Sequence, residues 1–460
     1  MSDEYDVIVV GAGTGGAIAA RFAQKFGLKT LLVDRKARED IGKKICGDAL
    51  PGEIFDQLGI APPKGDELDH EVKGARLLSP DGSKEFKMID EKQAGYLVNR
   101  HKFGQRLVND AISEGVEFWD KVHVKRAIQD GFDVKGIEIT DSEGNLKTLR
   151  SKILIDASGF YSLIRDNVKS NYIEKDIAPE DTILCYREIV NIEGEVDSPD
   201  YITIHLTQDL APGGYIWYFP KGPNQINIGL GGPQEAGKKV GSIIKKRYEE
   251  NVFKKYVKNE YDIVSSGAGA VPVRRPLWSL VDNGIMMVGD SACQVNPLHG
   301  GGIDTSMLAG YMAASTAKKA IEEGDTSING LWEYNEEFMR GKGAQFAALD
   351  ILRIALQHFT DEDLNFGLKN EILSGEDILE IAYAGGLKLT ALDAIKKVFK
   401  IGLINTITHG ELIINLAYVH KLMTDIKKLY EAFPGREKIE NFELWKKRVE
   451  EIYKKIKGAF

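Results

Sequence analysis

The chain opens on an unbroken apolar run, Val7–Val10, set within Tyr5–Val10 and closed by Gly11. A short β-rich run without alternation is the pattern of a strand buried on both faces of a parallel sheet. Ala17–Phe26 follows with good helix formers and stops at Gly27, and Lys29–Val33 is strand-like again. Together they predict a βαβ unit at the start of the chain. Periodicity fades over residues 41–74, where Gly42, Gly47, Pro51, Gly59, Pro62, Pro63 and Gly65 predict loops. Residues 75–98 read as short strands, His101–Ser113 as an amphipathic helix ended near Gly115, and 116–155 as strands that include Gly136–Thr140 and Ile153–Ile155. Strands dominate 182–232, with alternation in Tyr201–Leu206 and Tyr215–Phe219. Glu235–Val257 predicts a helix, Ile285–Val288 a buried strand, and Ile303–Ile321 a long helix of small residues. Beyond about residue 325 the pattern is almost wholly helical.

Composition narrows the class. Of 460 residues, 43% are hydrophobic and 28% charged, the profile of a globular chain with a sizeable core. The formal charge of −9 argues against a nucleic-acid partner. Three cysteines form no disulfide framework, so a reducing, cytoplasmic setting is expected. No cluster of metal ligands stands out, and no metal is expected. The leading residues carry no basic segment or cleavage site, which predicts no secretory leader. The longest apolar stretch, Ile401 to Leu422, is interrupted by His409, Glu411 and His420, so a spanning helix is not expected. From Leu387 onward the chain is basic, with 15 Lys/Arg against 9 Asp/Glu. Phe442, Trp445, Val449, Ile452 and Ile456 share one face of the terminal helix, with Lys446, Lys447, Lys454 and Lys455 nearby. That face predicts either packing on the body, the preferred reading, or a peripheral contact with the cytoplasmic membrane.

Gly11-Ala12-Gly13-Thr14-Gly15-Gly16 fits G-x-G-x-x-G between a strand and a helix, with Asp34 closing the next strand. This is the Rossmann-type dinucleotide signature. Gly11 permits the tight turn, Gly13 lets the backbone approach a pyrophosphate, Gly16 lets helix and strand pack closely, and Asp34 would accept from a ribose diol. Two further glycine-rich segments recur far along the chain, at 154–165 and 284–303. Gly289-Asp290 ends a buried strand, and Asp290 is a candidate partner for ribityl hydroxyls. Gly300, Gly301 and Gly302 precede the helix starting at Ile303, where free N–H groups and the helix dipole favour a flat ring bearing developing negative charge. Three glycine-lined stretches spread over the chain favour a long dinucleotide, FAD.

Gly11–Gly16, Asp34, Ile155-Asp156-Ala157-Ser158-Gly159 and Gly289-Asp290 together resemble the glutathione-reductase-2 type of FAD enzyme over about the first 320 residues. That group includes p-hydroxybenzoate hydroxylase-like monooxygenases, flavin halogenases and geranylgeranyl reductases. Lys44-Ile45-Cys46-Gly47-Asp48 resembles the K-x-C-G segment of geranylgeranyl reductases, and Pro212–Pro220 fits their P-x-x-Y-x-W-x-F-P. Asn227-Ile228-Gly229-Leu230-Gly231 is also similar to that family. Tyr215, Trp217 and Phe219 alternate, so they predict one aromatic strand face able to hold an isoprenoid chain.

The resemblance implies an FAD-dependent reductase that saturates C=C bonds of geranylgeranyl chains, in archaeal diether membrane lipids by preference. An aromatic monooxygenase or halogenase on the same scaffold is the alternative. The expected architecture is α/β: a Rossmann-type FAD-binding domain (1–75, 96–180 and 268–325), interrupted by a β-rich substrate domain (76–95 and 181–267), then a helical C-terminal region (326–460). Cys46, Tyr215 and Trp217 are the expected catalytic residues, with Cys46, Tyr215, Asp48 or His299 as the proton donor. Tyr215, Trp217, Phe219 and His299 would meet the substrate. Gly11, Gly13, Gly15, Gly16, Asp34, Lys44, Cys46, Gly47, Asp290, Gly301, Gly302 and Ile303 would meet the cofactor. Arg100, on the loop before its helix, would bond phosphate or ribityl oxygens, and Val124 would offer main-chain contact to adenine. Cys185 and Cys293 read as small buried residues. The electron donor stays open between ferredoxin, another reductant and NAD(P)H, since no second dinucleotide motif is present.

Overall fold

The computed structural model describes residues 4–89, 95–234, 240–253, 257, 260–372 and 403–460. The first apolar run becomes the strand Glu4–Val10, whose Val7, Ile8 and Val9 are wholly buried. It pairs in parallel with Thr30–Val33 on one side and Leu146–Asp156 on the other. The sheet continues in parallel through Glu117–Trp119 at one edge and through Ile285–Met287 on the other side, where Val281–Asp282 closes it antiparallel. An antiparallel hairpin, His123–Asp130 and Asp133–Thr140, extends from Leu146–Asp156.

Two helices cover one face of this sheet, Thr14–Lys25 and Ile303–Glu323. Small residues let them cross closely: a Cβ on Gly310 would lie 2.3 Å from the Gly15 carbonyl oxygen. Phe22 closes the crossing against Tyr311, edge to face at 4.8 Å.

A second, seven-stranded sheet runs Tyr261–Pro272, Thr182–Ile192, Gln225–Pro233, Tyr215–Pro220, Tyr201–Leu206, Gly74–Leu78, Glu85–Ile89. Neighbours are antiparallel except the parallel pair Tyr201–Leu206 and Gly74–Leu78. One face of Tyr215–Pro220 sends Ile216 and Tyr218 into a core under the helix Val240–Arg247. The other face carries Tyr215, Trp217 and Phe219 toward the first sheet. A three-stranded sheet, Ala49–Pro51, Gly95–Val98 and Leu68–Val72, lies between the two.

The structure corrects several expectations. Residues 41–74 are not only loops, since they hold two strands of the small sheet and the helix Glu53–Leu58. Strands as short as Ala49–Pro51 carry no detectable period. The helix expected over 235–257 is described as Val240–Arg247 running into a wider π-type turn at Tyr248–Phe253. Residues 235–239 and 254–256 lie outside the described residues, as do 387–402 of the basic region.

The helical C-terminal region packs onto both sheets through Ile328–Phe338, Ala344–Leu356, Asp361–Lys369, Leu403–Glu431 and Phe442–Lys457. Phe442, Trp445, Val449, Ile452 and Ile456 are all buried, between 0% and 6% exposed. Trp445 meets Phe433 at 4.7 Å and Trp278 at 6.0 Å. The apolar face of the terminal helix is therefore covered by protein, the preferred of the two expectations for it. Among the described residues, no helix is long and apolar enough to cross a membrane.

Candidate active site

One cavity of about 1110 Å³ joins the two sheets. Drug-sized ligand pockets span roughly 300–1,000 Å³, so this space suits a large ligand or two adjoining ones. Its walls run from the glycine turn at Gly11–Gly16 past the loop Lys44–Asp48 and the aromatic strand, ending among Leu364, Leu368, Leu412 and Leu416.

The dinucleotide end is built by the strand–turn–helix. Gly11 sits at φ 102°, a backbone shape that strains any side-chain-bearing residue, and a Cβ there would lie 2.3 Å from the Ala157 carbonyl. A Cβ on Gly16 would lie 1.8 Å from the Gly11 oxygen, so helix and turn touch backbone to backbone. At Gly13 the corresponding space is open. Gly15 does double duty, lining the cavity and meeting Val288 and Ser306 on the packing side. Asp34 braces the turn, accepting from the Ala12 amide at 2.7 Å and from the Lys36 amide at 2.8 Å. Val124, half-buried on its strand, lines the same end.

Arg100 is the first residue of the helix Arg100–Ser113, capped by Asn99, rather than a loop residue. It lines the cavity, and its buried Nε has no hydrogen-bond partner. Lys44 and Asp290, far apart in sequence, form an ion pair at 2.8 Å. The carboxylate of Asp290 pushes the Lys44 ammonium up, holding it charged. Asp290 opens a short turn after the strand Ile285–Met287, and Ser291 donates to the Asp156 carbonyl at 2.8 Å. The helix at Ile303 starts from Gly302 with no side-chain cap, leaving its first N–H groups to the cavity.

Open backbone at Gly13, a buried unpartnered guanidinium nitrogen, and two uncapped helix N-termini facing one cavity fit an anionic, elongated ligand with a flat ring.

The opposite wall is aromatic. Tyr215 and Trp217 lie 6.2 Å apart on one strand face with Phe219. Tyr215 donates its hydroxyl hydrogen to the His299 carbonyl at 2.5 Å, and burial pushes its pKa far up. His299 Nδ1 accepts from the Gly301 amide at 3.1 Å, which leaves the neutral ring's hydrogen on Nε2. Burial lowers its pKa. Its exposed surface lines the cavity.

Cys46 is half-buried at the junction of the two ends. Gly47 lies against Phe219, where a Cβ would come within 2.8 Å of the ring. Asp48, by contrast, is 1% exposed, and its Oδ2 accepts from Lys221 Nζ at 2.9 Å and Asn227 Nδ2 at 3.1 Å.

Cys293 is fully buried, its thiol pushed up to about 12 by burial. Cys185 corrects the expectation: it is half-buried, lines the cavity near Cys46, and burial pushes it up to about 11. Strand position alone does not say which face a lone cysteine takes. Asn227, Lys221 and Asp69, behind the Cys46 loop, and the leucines that close the apolar end were not among the expected site residues.

A second sheet roofing the open end of a dinucleotide-binding sheet, with an apolar chamber between, defines a two-sheet dinucleotide-dependent oxidoreductase. The family model described as the geranylgeranyl reductase catalytic domain matches residues 181–271, and that for glucose inhibited division protein A matches residues 6–161. A digeranylgeranylglycerophospholipid reductase from Sulfolobus acidocaldarius is 36% identical over 436 residues, 94% of each chain. A second reductase of that name, from Methanococcoides burtonii, is 34% identical over 79% of this chain and 87% of its own. The chain belongs to the digeranylgeranylglycerophospholipid reductase family. Among solved structures, a geranylgeranyl bacteriochlorophyll reductase-like protein from Thermoplasma acidophilum superposes with TM-score 0.75 at 28% identity, covering 83% of this chain and 96% of its own. A myxobacterial chondrochloren halogenase shares the fold alone, at TM-score 0.63 and 17% identity over 84% of this chain and 93% of its own.

Proposed function

We propose that this protein is an FAD-dependent reductase that saturates C=C bonds of geranylgeranyl chains, with archaeal diether glycerophospholipids as its substrates. The observation that carries this reading is the continuity of one cavity, from the glycine turn past the aromatic strand to a leucine-lined end. An isoprenoid chain laid along Trp217 and Phe219 would gain roughly 25 cal/mol per Å² of apolar surface buried. Nothing in the chamber's aromatic wall favours a small polar aromatic acid, and the halogenase likeness extends to the fold alone.

FAD would be held by Gly11, Gly13, Gly15, Gly16, Asp34, Arg100, Val124, Lys44, Cys46, Gly47, Asp290, Gly301, Gly302 and Ile303. When bound and reduced, it supplies the hydride. The division into a dinucleotide unit (1–75, 96–180, 268–325), a substrate unit (76–95, 181–267) and a helical region (326–460) belongs to the same proposal.

An isolated trisubstituted alkene accepts hydride poorly, because no carbonyl takes up the charge. Protonation at the less substituted carbon gives tertiary-cation character, so the chain's own acid decides the rate. Tyr215 is committed to the His299 carbonyl and held neutral. His299 is a neutral ring with lowered basicity. Asp48 is bound in an ion pair with Lys221. Of the four candidate donors Cys46 remains, half-buried on the cavity wall, and we assign it the proton. Trp217 and Phe219 exclude water from the reacting carbons. Electrons reach the site from an external donor, ferredoxin or NAD(P)H.

Lipid mass spectrometry of cells with and without the protein tests this reading. Gain of two hydrogens per reduced bond supports it; unchanged isoprenoid chains in both refute it.

A further inference from the structure

Behind the Cys46 loop lies a buried polar ladder. Trp217 Nε1 donates to Asn227 Oδ1 at 3.0 Å. The Asn227 amide then donates to the Cys46 carbonyl at 2.8 Å and to Asp48 Oδ2 at 3.1 Å. Lys221 bonds Asp48 at 2.9 Å, the Val98 carbonyl at 2.9 Å and Asp69 at 2.6 Å. Asn227 is 0% exposed and does not line the cavity. It sits opposite Phe219 in the sheet, so its side chain shares the aromatic face.

An amide that accepts from one wall and donates to the loop fixes both in one register. A buried asparagine whose oxygen and nitrogen are both used has one satisfied orientation, which makes the arrangement specific.

We propose that Asn227 is a positioning residue: it clamps the Cys46 loop to the substrate wall, setting the thiol's place relative to the chain held by Trp217. This rests on the reading of Cys46 as the acid but predicts a geometric property that is measurable without turnover. The ladder's charges, Asp48, Lys221 and Asp69, act as the anchor of the clamp rather than as reactants.

The test is Asn227→Ala in the full chain, loaded with FAD. Alkylation of each cysteine by N-ethylmaleimide is followed by peptide mass spectrometry, with and without FAD, alongside kcat and KM for a geranylgeranyl glycerophospholipid. A freed loop opens more often, so the Cys46 alkylation rate should rise about five-fold or more, while Cys293 stays unchanged. Misplacement of the acid should lower kcat by about ten-fold or more, with KM within about two-fold. Should the alanine variant not fold, Trp217→Phe removes the indole donor together with one ring of the wall, and should shift Cys46 alkylation in the same direction. A folded, FAD-loaded variant with wild-type alkylation and kcat overturns the proposal. A wild-type protein inert toward every isoprenoid lipid would sink the functional reading instead, leaving the alkylation result to decide the clamp.

Discussion

Lys221→Met exposes how the interior of this site is held together. The Lys221 side chain is 3% exposed and lies within 2.9 Å of both Asp48 and Asp69. At an effective dielectric of about 20, each contact carries roughly 6 kcal/mol of Coulomb attraction before desolvation is subtracted. Removing one partner of a buried pair costs about 3–5 kcal/mol, because the remaining charge has no compensation. Here two carboxylates lose their cation, so the upper half of that range is expected. Burial already raises the pKa of Asp69 with Lys221 present. Without the Lys221 charge that opposes this, the folded pKa of Asp69 stands further above the unfolded value of about 3.9, so the folded state binds more protons than the unfolded one. Stability therefore falls as pH rises through that interval. The loss is small near pH 4 and grows toward neutrality, with a slope approaching about 1.4 kcal/mol per pH unit for one proton. Urea unfolding followed by tryptophan fluorescence at about pH 5 and about pH 8 reads this directly, since Trp217 adjoins the ladder. A deficit that is larger at the higher pH, and relieved by adding Asp48→Asn and Asp69→Asn, is expected. A deficit below about 1 kcal/mol, equal at both pH values, would refute the reasoning.

Other outcomes follow from the same geometry. Gly16→Ala places a Cβ 1.8 Å from the Gly11 oxygen, so the turn must open, and the purified variant should retain no flavin by visible absorbance. Cys46→Ser, loaded with FAD to the wild-type level, should lose about 10²-fold in kcat, whereas full turnover would remove the thiol from the reaction. Truncation after Phe433 deletes Phe442, Trp445, Val449, Ile452 and Ile456 from the core. At roughly 1.5–3 kcal/mol per buried side chain, the truncated chain should unfold at lower temperature or fail to fold. A truncated chain as heat-stable as the full one would contradict the covered face.

The dinucleotide end was legible because its signals are local. Val7–Val10 is apolar without alternation, the glycines fall in one turn, and Asp34 follows within one βαβ unit. The aromatic wall was legible because period two puts Tyr215, Trp217 and Phe219 on one face whatever lies opposite. The ladder behind Cys46 was not. Asn227 and Asp48 meet only through the register that places Asn227 opposite Phe219, and nothing in their spacing announces it. The terminal helix shows a different limit: its apolar face was plain, but periodicity does not say whether protein or lipid covers it. Cys185 was misread for the same reason, since its place in a strand does not say whether its face meets packing or the cavity.

The most direct test removes oxygen. The FAD-loaded protein is photoreduced under anaerobic conditions and mixed with a geranylgeranyl glycerophospholipid. The account predicts that the flavin spectrum returns to its oxidised form while the lipid gains hydrogens in equal number. Flavin that stays reduced until air is admitted, with the lipid unchanged, would contradict it.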